Sequence, residues 1–407
     1  MRLILAFSLL LLQSGFTYAE DWPQFRGPTG QGITSAKDLP TTWSPKGENI
    51  LWKTELPKST APFSSPVIAG DRIYLTYADD KEPRSHGVMA LDRGDGHIVW
   101  KTDVPLGPWK GGRNNGYPTP CAADGRVYCV LGSAVIVCLD ADGKIAWRYE
   151  LKSYAFDVAM GSSPILYKDQ LLLLCDQTSK TSSLLAFDRK TGDLRYDAVR
   201  NNTGFAHSTP VLATINGVEQ LVVMVNKALQ GIDPATGNVL WQCKASGDTS
   251  SPAISGTRIY ADSGRGNQGI CVDLAAWKPV GGADPAKIEP VWQTEKLKES
   301  LGSPIIIDGR VYRQIGDTLY CWDLATGKQI YVENKLTGGS SRISPFSTAD
   351  GLIYFCSGGR SFVVRAGPTF ELVGKPDLQD GNDASPAVAD GKIYIRGAKY
   401  LWCIGKK

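Results

Sequence analysis

The chain has 407 residues, and its 44 lysines and arginines nearly cancel its 41 aspartates and glutamates, leaving a formal net charge of +3. Without long like-charge runs, this balance excludes the basic face of a nucleic-acid binder and the polybasic patch of a membrane-surface protein. Nine cysteines leave at least one thiol unpaired in a monomer, and no Cys-x-x-Cys, Cys-x-x-Cys-His or His-Glu-x-x-His spacing signals zinc, covalent haem or a metalloprotease.

Residues 1–19, MRLILAFSLLLLQSGFTYA, set one cation, Arg2, before an apolar run that ends at Leu12, with small or neutral residues leading to Ala19. This is the pattern of a secretory signal cleaved near Ala19, and its run is too short for the roughly 20 apolar residues of a spanning helix. No cysteine stands at the cut to carry a lipid anchor, and no later segment is apolar enough to be transmembrane. A monomer that is periplasmic or secreted is expected. Residues 20–49 read as an N-terminal extension and residues 50–407 as a single domain.

That domain is one unit written eight times. A Ser/Thr-Pro or similar dipeptide, an apolar run, a turn and often an aromatic recur as SSPVIAGDRIYL (residue 64), PTPCAADGRVYC (118), SSPILYKDQLLL (162) and STPVLATINGVEQLVV (208). The pattern continues as SSPAISGTRIYA (250), GSPIIIDGRVYR (302), SPFSTADGLIYF (344) and ASPAVADGKIYI (384). The prolines, from Pro66 to Pro386, recur about every 46 residues, the spacing of a four-stranded propeller blade. A second half follows in most units: a small residue, an Asp, a Thr-Gly or Asp-Gly turn, and an aromatic, as in ALDRGDGHIVW (90), CLDADGKIAW (138), AFDRKTGDLRY (186), GIDPATGNVLW (231) and CWDLATGKQIY (321). Two hairpins per unit give four antiparallel strands. Unit five inserts residues between Asp273 and Trp292, and unit seven lacks the motif around Gly367.

Unit eight stops at residues 402–404, one strand short, while Trp52-Lys53-Thr54 repeats the Trp100-Lys101-Thr102 that ends unit one. Pairing the strand near Trp52 with the C-terminal unit would close a ring and remove open edges. The fold expected is all-β, an eight-bladed β-propeller of four-stranded antiparallel blades.

These residues resemble the quinoprotein-like (PQQ-like) propeller repeat, small-x-Asp-x-x-Thr-Gly-x-x-x-Trp, over nearly the whole mature chain. DWPQFRGPTGQGI (residues 21–33) is similar to the opening of exported quinoprotein-like propellers. The resemblance implies two branches: dehydrogenases carrying pyrroloquinoline quinone (PQQ) with calcium, and non-enzymatic propellers such as the outer-membrane assembly lipoprotein. The dehydrogenase branch covers its quinone with a disulfide between adjacent cysteines and holds calcium from longer inserts. No two cysteines are adjacent here, and no quinone or calcium ligand is assigned.

GRGNQG (residues 264–269) meets the dinucleotide pattern Gly-x-Gly-x-x-Gly, but it stands between two strands rather than opening a helix, so it reads as a hairpin loop. Cys138, Cys271, Cys321 and Cys403 fill the slot that Ala90, Ala186 and Gly231 fill elsewhere, so they read as small packing residues. A Cys121–Cys129 bridge stays open. His86 and His97 read as solvated, in a loop and a turn. His207 precedes an innermost strand, and its neighbour Ser208 would face the opposite way, so the two do not form a dyad.

The loops leading into the innermost strands, with the second-to-third-strand loops, converge on one face around the channel. Loops carry function on rigid scaffolds, and a concave polar mouth is where a ligand is expected. Arg113, Asn114, Asn115, Tyr117, Asp157, Asn202, His207, Asp248, Glu299, Arg342, Asp380, Asn382 and Asp383 would crowd this rim. The mixed charge suits a small polar molecule, a glycan or a peptide better than a polyanion, and a protein engaged by the same mouth is the other partner expected. No catalytic or metal-binding set is assigned, and the expected function is binding or scaffolding.

Overall fold

Each repeat folds as a sheet of four strands with antiparallel neighbours, and eight such sheets form the propeller. The computed structural model describes residues 20–407 apart from 60–62, 80–83, 109–117, 152–159, 178–181, 201–203, 280–283 and 337–341. Among the described residues there is no helix, and hence none long and apolar enough to cross a membrane. In blade one the strands run Val67–Ala69, Arg72–Asp79, Ser85–Asp92 and Ile98–Asp103 from the axis outward. In blade eight, Ala387–Ala389, Lys392–Arg396 and Tyr400–Ile404 are completed by Ile50–Glu55, with Cys403 opposite Trp52.

Register explains the small-residue slot. Ala90 stands opposite Trp100, Cys138 opposite Trp147, Ala186 opposite Tyr196, Gly231 opposite Trp241, Cys271 opposite Trp292 and Cys321 opposite Tyr331. A large ring lies across each slot residue, leaving room for little more than a methyl or a thiol. All nine cysteines are free and buried. Burial pushes the Cys138, Cys243 and Cys321 thiols up to about 11, which suits packing rather than nucleophilic chemistry. Cys121 faces Tyr128 across its hairpin, so the adjacent Cys129 points to the other side of the sheet, and no bridge joins the two.

The turn glycines and outer aromatics lock one blade to the next. Trp100 of blade one donates from Nε1 to Ala141 O of blade two (2.9 Å), and Trp147 donates likewise to Arg189 O of blade three (3.1 Å). Gly143 and Gly192 lie beneath these rings with φ of 78° and 80°. A Cβ at either would fall 2.5–2.6 Å from the indole, so glycine is required both for its conformation and for the close approach. Between blades, apolar side chains close each seam, as Tyr74 and Val88 do with Val127 and Val137.

Two expectations are refined. His86 lies in the strand Ser85–Asp92 and is buried, with Nε2 3.4 Å from Ser133 Oγ, rather than solvated in a loop. The strand propagates past the residues expected to form the loop, carrying His86 inward. The insertion of unit five provides the short strand Ala286–Lys287, which adds in parallel to the outer edge of blade four beside Trp241.

Residues 20–34 cross the face of the propeller opposite the Ser/Thr-Pro loops, bonding to the free inner edges of several blades. Trp22 exchanges backbone hydrogen bonds with Ile68 (2.9 Å each), Pro23 O accepts from Ala122 N, and Ser347 N donates to Gly32 O (2.7 Å). Arg26 donates to Pro252 O (3.1 Å) and Pro304 O (2.7 Å), and Gln31 Oε1 accepts from Ile254 N (2.7 Å). The segment thus ties blades one, two, five, six and seven across that end of the channel.

Candidate functional site

The residue before each repeat proline builds the site. A residue preceding proline is confined to extended backbone, which fixes the direction of its N–H and side chain. Ser65 N donates to Thr119 Oγ1 (3.1 Å), Thr119 N to Ser163 Oγ (3.0 Å), Ser163 N to Thr209 Oγ1 (3.0 Å) and Thr209 N to Ser251 Oγ (3.1 Å). Ser251 N continues to Ser303 Oγ (3.2 Å), Ser303 N to Ser344 Oγ (3.1 Å), Ser344 N to Ser385 Oγ (3.0 Å), and Ser385 N returns to Ser65 Oγ (3.1 Å). One hydroxyl from every blade therefore joins a closed crown around the axis.

The crown is the wall of a cavity of about 360 Å³. Phe25 of the N-terminal segment also lines it, together with Phe63, Leu301, Arg265, Arg342, His207 and Asp383. Residues 20–34 cross the opposite end of the channel, and through Phe25 that segment reaches the cavity.

Of the rim residues expected from the sequence, His207, Arg342 and Asp383 line this cavity, with Arg342 Nη1 3.3 Å from Asp383 Oδ2. Asp248 stands behind it, accepting from Arg265 Nε (3.0 Å), and Glu299 bridges to Arg265 through the backbone. Asp380 and Asn382 are placed differently from the expectation. Asp380 is buried and accepts from Lys399 N, Tyr400 N and Trp402 Nε1, while Asn382 Nδ2 donates to Arg396 O and Gly397 O. Both side chains hold the end of blade eight instead of facing a ligand. Arg113, Asn114, Asn115, Tyr117, Asp157 and Asn202 lie outside the described residues.

Ser208 is buried and donates to Ser250 O (3.2 Å), while His207 lines the cavity, so the two face apart. Arg265, Phe25, Phe63 and Leu301 were not singled out in the sequence. Arg265 could have been, because GRGNQG is the second-to-third-strand loop of blade five, joining Arg258–Ala261 to Gln268–Asp273. Beneath the mouth lie buried guanidiniums. Arg313 is held by Asp262 (Nε to Oδ2 2.7 Å, Nη2 to Oδ1 2.9 Å). Arg26 has no ion pair among the described residues, and burial with the nearby Arg313 lowers its pKa to about 9, leaving it cationic at neutral pH.

Comparison with known proteins agrees with this architecture. The profile of a family described as outer membrane protein assembly factor BamB matches residues 84–333. The chain belongs to that family. Among solved structures, BamB from Moraxella catarrhalis is 12% identical with a TM-score of 0.61, over 87% of this chain and 98% of that one. Quinohemoprotein alcohol dehydrogenase ADHIIG from Pseudomonas putida HK5 is 13% identical with a TM-score of 0.65, covering 94% and 80%. The computationally designed Ika8 protein gives 10% and 0.59, covering 88% and 99%. At these identities the likeness is one of fold. No curated protein sequence matches the chain. The BamB-family match spans parts of blades one to six and leaves the N-terminal segment and its floor outside.

Proposed function

We propose that this BamB-family chain is an exported binding propeller that takes its ligand at the channel mouth and performs no chemistry on it. The observation that carries the reading is the cavity walled by one hydroxyl from each blade and rimmed by His207, Arg265, Arg342 and Asp383. A concave site with a few converging polar groups on a rigid scaffold is built to bind.

A calcium-held quinone does not fit the described lining. Calcium takes six to eight oxygen ligands, commonly including several carboxylates. The described lining offers one carboxylate, Asp383, which is bonded to Arg342, and the nine free cysteines provide no disulfide to cover a ring.

The test is a thermal-shift and calorimetric screen of the folded mature protein against small polar molecules, glycans, and PQQ with calcium. Saturable binding that is weakened by Arg342→Ala supports the reading. Stoichiometric PQQ binding with dye-linked alcohol oxidation would overturn it. The family match favours a second reading, a partner in outer-membrane protein assembly. That reading expects crosslinking to assembly components in envelope extracts, and a clean negative would count against it.

A further inference from the structure

The crown carries a chemical preference. Each of its eight hydroxyls is buried and accepts one backbone N–H, and none donates to a described protein group. A hydroxyl with an accepted bond still has a proton to place, and a buried donor left unmatched is costly. The cavity therefore presents donors and asks for acceptors.

Charge is distributed unevenly around it. Arg265 follows the second strand of blade five, and Arg342 precedes Ser344 of blade seven. Arg26 bonds to the carbonyls next to Ser251 and Ser303, in blades five and six, and its buried Nε has no protein partner. Arg313 of blade six reaches Gly302 O, beside the crown. Among the described residues these four guanidiniums face three carboxylates: Asp248, Asp262 and Asp383. Two guanidiniums at the crown have no carboxylate among the described residues: Arg26, below the arc made by Ser251, Ser303 and Ser344, and Arg396 of blade eight, which donates to Ser64 O and Oγ beside Ser65. The arc alone combines such a cation with Arg265, Arg313 and Arg342, while Phe25 and Phe63 supply apolar surface.

Resting on the reading of the mouth as a ligand site, we propose that this arc anchors a single oxyanion, a carboxylate or phosphate group, whose ligand lays an apolar body against Phe25 and Phe63. A cation is disfavoured by the surrounding guanidiniums, and a neutral polyol would meet the crown's donors with as many donors as acceptors. Water completes the hydroxyls that the oxyanion does not reach.

The experiment is titration calorimetry of the full mature chain at constant ionic strength. The probes are inorganic phosphate, phenyl phosphate and phenylacetate, against the neutral probes glucose and benzyl alcohol. The anions are expected to bind and the neutral probes not. Binding of phosphate and phenyl phosphate alone assigns a phosphate ligand, and binding of phenylacetate assigns a carboxylate. Ser303→Ala is expected to weaken the bound anion about tenfold and Ser303→Thr to restore it, as befits a hydrogen bond to a charged acceptor. Arg342→Gln, exposed at the rim and chosen in case the crown variant fails to fold, should also weaken the anion. Neutral probes binding as well as the anions would overturn the oxyanion while leaving the channel mouth as a ligand site. No binding by any probe, with only a protein captured, would overturn both.

Discussion

Replacing Gly143 with alanine tests the lock between blades one and two. The new methyl would lie 2.5 Å from Trp100 Cδ2 and under 3 Å from Cε3 and Cγ, at a residue whose φ is 78°. Left-handed backbone costs an alanine about 1–2 kcal/mol. Displacing the indole also breaks its 2.9 Å bond to Ala141 O, worth about 1 kcal/mol net, and loosens its packing by a comparable amount. The sum is a loss of about 3–4 kcal/mol. Gly217→Ala is the control: its φ is 79°, but the methyl would meet nothing within 4 Å, so only the backbone cost of about 1–2 kcal/mol applies. Urea unfolding followed by circular dichroism measures both losses. Equal losses in the two variants would refute the idea that the glycine exists to admit the tryptophan.

Asp262→Ala leaves the Arg313 guanidinium buried without its carboxylate and is expected to cost about 3–5 kcal/mol by the same assay, with Asp262→Leu/Arg313→Met recovering most of it. A second expectation concerns acid. The hydrogen bond from Arg195, with those from the Thr191 and Lys190 amides, lowers the Asp188 pKa to about 2, against about 3.9 when unfolded. The stability this adds is present above about pH 4 and lost as pH falls toward 2. The advantage of the wild type over Asp188→Asn should shrink across that window, and an advantage independent of pH would contradict it.

The propeller was legible because its punctuation repeats. The proline ends the crown residue's freedom in every blade, and in most blades the Thr-Gly or Asp-Gly turn receives the neighbouring blade's aromatic ring and the small-residue slot lies across from a ring. The floor was not legible. Arg26 and Gln31 bond largely to backbone groups of blades five and six, and a carbonyl or amide leaves no mark on the identity of its residue. The rim was legible only in part, since Asp380 and Arg342 look alike as polar loop residues. What separates them is where the backbone amides of residues 399 and 400 point. Arg313 and Asp262 sit 51 positions apart in different blades, where no local pattern relates them.

The pairing of Ile50–Glu55 with Tyr400–Ile404 also has a kinetic side. Cys403 meets Trp52 across about 350 residues of chain. Closing a loop of that length costs about 5 kcal/mol of chain entropy, against about 1 kcal/mol for a hairpin turn. Seven blades can therefore assemble from local hairpins while the eighth waits for its fourth strand, which makes closure a late and slow step. Once it is made, the sheet has no terminal blade left to fray, and opening must begin by pulling out the strand that was last to enter.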